Sequence, residues 1–388
     1  MDRYVYVSVS PDVALKGQNR PFFTRLVFAN LERALDGLAV EVIHRYPLAL
    51  LLRLPQGDLW PEVEERLRRV CGVVKFHPAS RVRLDLEEMK AAAVQELNGR
   101  TFSSFRVNTR RGDKAFPLTS VQVNERLGGM LKERFHARVD LEHADVTVFV
   151  HILPREAFVY TEEVDGLGGL PIGATGKMVC LLSGGLDSPV AAWRMMKRGV
   201  KVEFVHFHSF PLVEGTSREK ARELVELLTR YQYTSKLYLV PFAEIQKQVI
   251  LSVPPRYRVV VYRRFMFRIA EAIARRERAK GLITGESLGQ VSSQTLENMV
   301  TIGAACQMPV FRPLVSMDKE EIVREARRLG TYPISIIPDQ DCCSLFVPKH
   351  PATETSQSEI EVLEKALTVE ALVEQGVGGA QLEKFRWP

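Results

Sequence analysis

Cysteine is scarce in this chain: five residues in 388, an odd number. A secreted protein stapled by disulfides would need more of them, so Cys71, Cys180, Cys306, Cys342 and Cys343 do not read as a disulfide framework. No stretch approaches the ~18 consecutive apolar residues that would span a bilayer. The N-terminus opens with an acid and alternates like a strand, unlike a signal peptide. An excess of one charge is nearly missing too: 53 Lys and Arg stand against 47 Asp and Glu, a net +6 too small to name a partner. These shortages leave an expected cytoplasmic protein with no membrane association. Its 46% hydrophobic and 26% charged residues are ordinary for globular domains with buried cores. At roughly 150 residues per domain, the length suggests two or three.

Where the cations fall says more than their sum. Residues 253–280 hold nine Lys and Arg against two Glu, and residues 99–114 hold five against one Asp. Phosphate recognition draws on such clusters, although the solvated face of a helix or strand gives the same count.

Periodicity divides the chain into three blocks. In the first, alternation predicts a strand over 4–9, and the spacing of Phe22, Phe23, Leu26, Val27 and Leu31 predicts a helix over Arg20–Ala34. Strands follow over 40–43 and 49–54, giving a small α+β domain over 1–57. A second α+β domain, 58–163, carries expected helices over 59–70, 86–97 and 120–135. Its expected strands lie over 81–84, 104–108, 146–152 and 157–161. Residues 164–176, VDGLGGLPIGATG, are rich in glycine and read as a linker. From 177 to 388 strands (178–182, 202–206, 236–240, 282–284) alternate with helices (188–197, 217–229, 262–280). That alternation predicts a parallel sheet covered by helices, an α/β domain. Residues 351–388 are expected to form a short acidic helical tail.

The sharpest chemical feature is the run from Met178 to Gly199, MVCLLSGGLDSPVAAWRMMKRG. An apolar strand enters Ser183, Gly184, Gly185, Leu186, Asp187 and Ser188, and a helix follows. Glycines at a strand end let backbone N–H groups face an anion, and the helix N-terminus adds partial positive charge. Ser183 and Ser188 offer hydroxyls, and Asp187 could cap the helix or orient a nucleotide and its metal. No G-x-x-x-x-G-K-[ST] sequence is present, so this is not a Walker A loop. It matches the pyrophosphatase loop of enzymes that split ATP between its α- and β-phosphates, which leaves the second substrate open.

Three further segments narrow the choice. His206 and His208 end the second strand of the α/β domain, at the carboxyl edge where such sheets bind ligands; a nucleotide edge fits them better than a metal. Residues 284–287, Gly289 and Gln290, and 292–295 present small and amide side chains suited to a base and ribose. Asp318 is placed to cap a helix, with Lys319 beside it. Cys342 and Cys343 are adjacent in a loop bounded by Pro338 and Pro351, where a reactive thiol is more readily held than in an apolar element. No C-x-x-C or clustered His accompanies them, so no protein-bound metal is expected.

With these segments together, the chain resembles the tRNA uridine 4-sulfurtransferase (ThiI) family over essentially its whole length. The resemblance rests on eight ordered segments: LKGQNRPFF from Leu15, RRGDKAFPLTS from Arg110, GLGGLPIG from Gly166, LLSGGLDSPVAAWRMMKRG from Leu181, VHFHS from Val205, TGESLGQVSSQT from Thr284, RPLVSMDKEEI from Arg312 and DCCSLF from Asp341. It implies a ferredoxin-like N-terminal domain, a THUMP domain that binds tRNA, and a C-terminal parallel-sheet ATP-pyrophosphatase (PP-loop) domain over 177–388. It implies the short form, without the rhodanese domain that some members carry.

The implied reaction is ATP-dependent adenylation of O4 of uridine 8 in tRNA, followed by replacement of that oxygen with persulfide sulfur to give 4-thiouridine. The implied ATP contacts fall on Leu181, Leu182, His206, Phe207, Arg263, Gly285 and Gln294, joined by loop residues Ser183, Gly184, Gly185, Asp187 and Ser188. Asp187 and Lys319 match positions implicated in adenylation. The sulfur-bearing thiol falls on Cys342, or on Cys343 if the register shifts by one. Mg²⁺ would arrive with ATP, and a cysteine desulfurase would supply sulfur. A tRNA spanning domains of different subunits would make the assembly a homodimer. RNA contact is expected at Lys16, Asn19 and Arg20, and at Arg110, Arg111 and Lys114. A role in thiamine biosynthesis attaches to the rhodanese-bearing members and stays open. The rival readings are another ATP-pyrophosphatase and a non-catalytic RNA-binding module; the intact SGGLDS loop argues against the second.

Overall fold

The computed structural model describes residues 3–55, 59–210, 215–338 and 350–388. The chain divides into two compact units, Met1–Gly169 and Leu170–Pro388.

In the first unit, β1 (Arg3–Val9) leads through the short helix α1 (Pro11–Ala14) into α2 (Arg20–Ala34), with Pro21 in the first turn, where its missing N–H costs no hydrogen bond. Then follow β2 (Glu41–Tyr46), β3 (Ala49–Leu54), α3 (Trp60–Leu67), β4 (Val73–Val82), α4 (Leu86–Leu97) and β5 (Ser104–Arg111). The unit ends with α5 (Ser120–Phe135), β6 (Arg138–Val139), β7 (Val146–Ile152), β8 (Ala157–Tyr160) and β9 (Val164–Asp165). Among the described residues these strands form one sheet in the order β2-β3-β1-β4-β8-β7-β5-β6, with β9 on β4.

Strand β4 joins the two halves of that sheet: Val73–Ala79 run antiparallel to β1, and Ser80–Val82 antiparallel to β8. Alternation predicted a strand over 81–84 only. Lys75, His77, Pro78 and Ser80 hide the rest of β4 from a hydrophobic pattern, although Phe76, His77 and Ala79 are all buried. The glycine-rich run at 164–176 starts as sheet: Gly166 and Gly168 donate their N–H groups to Val74 and Val73. A Cβ on Gly166 would lie 2.4 Å from the Val73 oxygen, an approach that glycine alone allows.

The second unit alternates as its pattern predicts. β10 (Lys177–Leu181), α6 (Asp187–Lys197), β11 (Lys201–His208), α7 (Thr216–Gln232), β12 (Thr234–Pro241) and α8 (Ala243–Ser252) come first. Then come α9 (Arg258–Arg276), β13 (Leu282–Ile283), α10 (Leu296–Gly303), β14 (Val310–Phe311), α11 (Lys319–Leu329) and α12 (Tyr332–Ser335). The order β14-β13-β10-β11-β12 is parallel throughout. From Val202 to His208, β11 is buried residue after residue, as expected of a strand covered on both faces. After α13 (Gln357–Glu364) and α14 (Val369–Gly378), the supposed helical tail ends instead in a strand, β15 (Gln381–Arg386), antiparallel to β12. Its sequence QLEKFR alternates, but its charged alternate positions gave no core-facing signal.

Helix α9 begins at Arg258, earlier than the 262 predicted, because its first turn is already apolar (Val259, Val260, Val261). Six of the eight arginines in its segment find partners within the unit, although Arg256 and Arg275 stay exposed. Arg256 pairs with Glu359, Arg263 with Glu286, Arg264 and Arg268 with Glu364, and Arg275 with Glu271, while Arg258 donates to carbonyls of Ile250 and Val253. Composition could not separate a buried, paired arginine from one facing RNA.

Glu364 ties α13 to α9: its oxygens take both Nε and Nη2 of Arg264 at 2.9 Å and two nitrogens of Arg268 at 2.7 Å. Burial alone would raise the Glu364 pKa, but the two arginines hold it below the usual carboxylate range. Its contribution to stability is therefore present above the unfolded-state carboxylate pKa and is lost as pH falls through the lower folded value. Glu364→Gln leaves Arg264 buried without its counter-charge and should cost about 3–5 kcal/mol at neutral pH. Urea denaturation checks this, with the wild-type and variant stabilities expected to converge as the pH is lowered.

Candidate active site

The second unit encloses a cavity of about 460 Å³ at the carboxyl ends of its parallel strands. Three strand ends supply it, since β10, β11 and β13 release their following residues toward the same edge. Leu181 and Leu182 end β10, His206 and Phe207 lie near the end of β11, and Thr284–Glu286 follow β13; all line the cavity.

Between β10 and α6 the Ser183–Leu186 turn is held by hydroxyls of its own. The Ser183 N–H donates to Oγ of Ser188 at 2.9 Å, and the Gly185 N–H donates to Oγ of Ser183 at 3.3 Å. No side chain caps the start of α6. The first-turn donors of this helix are therefore aimed, with its dipole, at whatever occupies the loop. Gly285 packs directly on that turn: a Cβ there would lie 2.6 Å from the Ser188 nitrogen and 2.8 Å from the Asp187 carbonyl carbon.

Asp187, in the first turn of α6, is bridged from two sides. Lys319 Nζ donates to one carboxylate oxygen and Gln290 Nε2 to the other, both at 2.9 Å. Lys319 is held there because Asp318 and Glu321 form a capping box that starts α11 at this point, and Gly330 in the left-handed conformation (φ 82°) ends it.

His206 does not act as a metal ligand in this arrangement. One ring nitrogen meets the Leu182 carbonyl at 2.9 Å and the other meets Ser217 Oγ at 3.4 Å, so the ring braces the end of β10. Burial, with His206, Arg218 and Arg222 nearby, pushes the His208 pKa down to about 4, which keeps its ring neutral at pH 7. Among the described residues no three His, Cys, Asp or Glu side chains cluster as a metal site.

The cavity wall is apolar on one side, where Phe207, Val259, Met266 and Phe267 line it, and polar at the loop. Arg263 reaches in from α9, its Nη1 donating to Ser293 Oγ at 3.0 Å and its Nη2 to Glu286 Oε1 at 2.6 Å. Gln294 is 8% exposed, and its side-chain oxygen is buried in this wall without a protein partner. A flat apolar slot beside an arginine and an anion-facing helix end can take a nucleotide, with base and phosphates at opposite ends.

Of the residues expected to bind ATP, Leu181, Leu182, Ser183, Asp187, Ser188, His206, Phe207, Arg263, Gly285 and Gln294 all line this one cavity; Gly184 and Gly185 sit in its loop. Lys319 is joined to it through Asp187. Cys342 and Cys343 lie outside the described residues. The chain just before them is fastened at the loop: Ser335 Oγ donates to the Gly185 carbonyl at 3.3 Å, and the buried Lys220 donates to the carbonyls of Ser335 and Ile337. Two of the other thiols are held protonated. Burial raises the Cys180 pKa strongly, and burial with Glu271 pushes Cys306 up to about 12.

The expected RNA residues lie in the first unit, in two groups. Asn19 and Arg20 are exposed at the start of α2, and Lys16 sits over the Phe23 ring. Arg110 and Lys114 are exposed at the end of β5 and just after it. Arg111 is turned back onto its own loop, donating to carbonyls of Asp113, Lys114 and Phe116, so it shapes that loop. Sequence reasoning placed Glu286 and Gln290 only within stretches suited to a base and ribose, gave Arg312 no role, and missed the pairings of all three. All three lie inside the matched segments, but nothing in a linear pattern pairs side chains 23, 26 and 103 residues apart.

Comparison with known proteins agrees with this architecture. The family described as Thiamine biosynthesis protein (ThiI) matches residues 173–369, and the THUMP domain matches residues 83–162. A probable tRNA sulfurtransferase of Thermus thermophilus is 48% identical over 388 residues, covering all of this chain and 95% of that one. Another from Moorella thermoacetica is 44% identical over 363 residues, 93% of each chain. A solved structure, of a 4-thiouridine synthetase–RNA complex with bound ATP, superposes with a TM-score of 0.89 at 35% identity, over 98% of this chain and 99% of that one. A pyrophosphatase-type loop closing a nucleotide-sized cavity, a THUMP domain upstream of it and full-length identity of this order place the chain in the ThiI family.

Proposed function

We propose that the chain is an ATP-dependent tRNA sulfurtransferase that converts uridine 8 of tRNA to 4-thiouridine. The observation that carries this reading is the placement of Arg263 and of Asp187, itself bound by Lys319, on the cavity behind the SGGLDS turn, in a chain that also carries a THUMP domain.

The chemistry requires two stages because O4 of uridine is a poor leaving group. In the first, O4 attacks the α-phosphate of ATP and pyrophosphate departs. The α6 N-terminus and Arg263 stabilise the charge that develops, in a site already organised for it. Mg²⁺ fits as a companion of the nucleotide: Asp187 is the acidic side chain at the loop, and one carboxylate plus phosphate oxygens is the usual way this ion is held. It would neutralise charge on the leaving pyrophosphate. In the second stage, the terminal sulfur of a persulfide on Cys342 or Cys343 attacks C4 and AMP leaves. A second thiol then takes the cysteine sulfur, releasing 4-thiouridine and leaving a disulfide for an external thiol to reduce.

A cysteine desulfurase supplies the persulfide in this reading, and the protein works in the cytoplasm; no helix among the described residues is long and apolar enough to cross a membrane. Residues 1–57 would form a ferredoxin-like domain that presents Lys16, Asn19 and Arg20 to RNA, and 58–163 the THUMP domain with Arg110 and Lys114. In a homodimer, one tRNA would use the first unit of one copy and the catalytic unit of the other.

The deciding experiment combines the protein, unmodified tRNA, ATP–Mg²⁺, cysteine and a cysteine desulfurase, with nucleoside analysis as the readout. Wild type should yield 4-thiouridine at position 8, and Cys342→Ser or Cys343→Ser should abolish it while tRNA-dependent pyrophosphate release continues. Absence of both product and pyrophosphate release from wild type would overturn the assignment.

Two variants test the parts separately. Gly285→Ala forces a methyl against backbone that cannot yield; overpacking of about 1–3 kcal/mol, if it falls on the loop in its ATP-binding form, weakens ATP binding by roughly 5- to 150-fold, as calorimetry would read. Arg110→Ala with Lys114→Ala should weaken tRNA binding regardless of sequence and flatten its salt dependence by roughly one unit of slope per lost phosphate contact, with ATP affinity unchanged.

A further inference from the structure

Unlike the Glu364 pairing with Arg264 and Arg268, whose members do not line the cavity, the charge arrangement behind Arg263 lies on its wall. Glu286 is 1% exposed and follows Gly285 directly on the cavity wall. One oxygen takes Arg263, and the other takes Nε of Arg312 at 2.6 Å and Oγ1 of Thr284 at 2.9 Å. Arg312 follows β14 and does not line the cavity. Two guanidinium groups thus share one buried carboxylate. The cluster keeps a net positive charge in a low-dielectric wall, an arrangement costly in desolvation.

We propose that Glu286 and Arg312 are positioning residues for the nucleotide: Glu286 aims the Arg263 guanidinium into the cavity, and Arg312 offsets the carboxylate so that the trio presents one net positive charge to the bound polyphosphate. The proposal rests on the reading of the cavity as an ATP site. Without Arg312, Arg263 and Glu286 would form a neutral pair, and the carboxylate would repel phosphate about as strongly as the guanidinium attracts it. Without Glu286, Arg263 would keep its charge but lose the bond that fixes one end of its planar fork, the other end resting on Ser293. Burial alone would raise the Glu286 pKa, yet Arg263 and Arg312 hold it below the usual carboxylate range, so the carboxylate is ionised at neutral pH.

The test is ATP–Mg²⁺ binding by calorimetry, without tRNA, to the full-length chain and to variants whose folding is first verified by circular dichroism and thermal unfolding. R312Q should raise the Kd for ATP roughly tenfold. The double variant R312Q/E286Q should bind more tightly than R312Q, because removing the carboxylate restores the net charge. R312K, which keeps the charge without the Nε donor, should recover much of the affinity lost in R312Q. R312M is the neutral substitute if R312Q does not fold. A Kd for R312Q within about twofold of wild type, or a double variant weaker than R312Q together with an R312K as weak as R312Q, overturns the proposal and leaves the trio a structural brace. Wild type that binds no ATP would overturn the reading of the cavity itself, a result distinct from either.

Discussion

The first turn of α6 is the point on which the catalytic unit depends. Its backbone must come within touching distance of the segment after β13, and a glycine at 285 is what permits this, since even one methyl would meet the Ser188 nitrogen at 2.6 Å. Parallel strands deliver their carboxyl ends to a common edge, which brings the loops near one another. The Gly285 contact then sets their spacing. From the same turn Asp187 reaches Lys319 and Gln290, and the neighbouring Gly185 carbonyl receives Ser335. One helix start thereby gathers three other stretches of chain, around residues 285–290, 319 and 335.

Helix α9 shows how one segment serves packing and chemistry by turning adjacent residues in different directions. Arg263 enters the cavity, whereas Arg264, its neighbour, is 1% exposed and bound to Glu364 and the Thr301 carbonyl. The apolar positions flanking them, Tyr262, Phe265 and Phe267, lie in the buried core of the unit. Each arginine meets a carboxylate from another segment, so the helix is fastened by directional contacts as well as by apolar burial.

Much of this was legible in sequence because its signals are local. Strand–helix alternation after residue 176 gave the parallel sheet, and Asp318, read as a cap, gave the start of α11. The SGGLDS run gave the loop, since strand, glycines and helix are contiguous. What escaped depends on long-range pairing. Strand β4 was hidden because polar residues such as His77 are buried against aromatic rings in the fold. The Arg263–Glu286–Arg312 trio was hidden because each member looks, alone, like a surface charge. Cation clustering in 253–280 suggested phosphate contact, yet most of its arginines face carboxylates and carbonyls within the unit.

The edge of the catalytic sheet carries a consequence for how the family is divided into pieces. The stretch matched as ThiI ends at residue 369, whereas β12 is covered along Thr234–Leu239 by β15 from Gln381–Arg386. A fragment cut at the boundary of the match would keep every cavity residue but leave the backbone of β12 unpaired, an open template for strand addition by another chain. The boundary of the family match and the limit of the folded unit are therefore different positions in this protein, and the residues between them act as a guard against self-association.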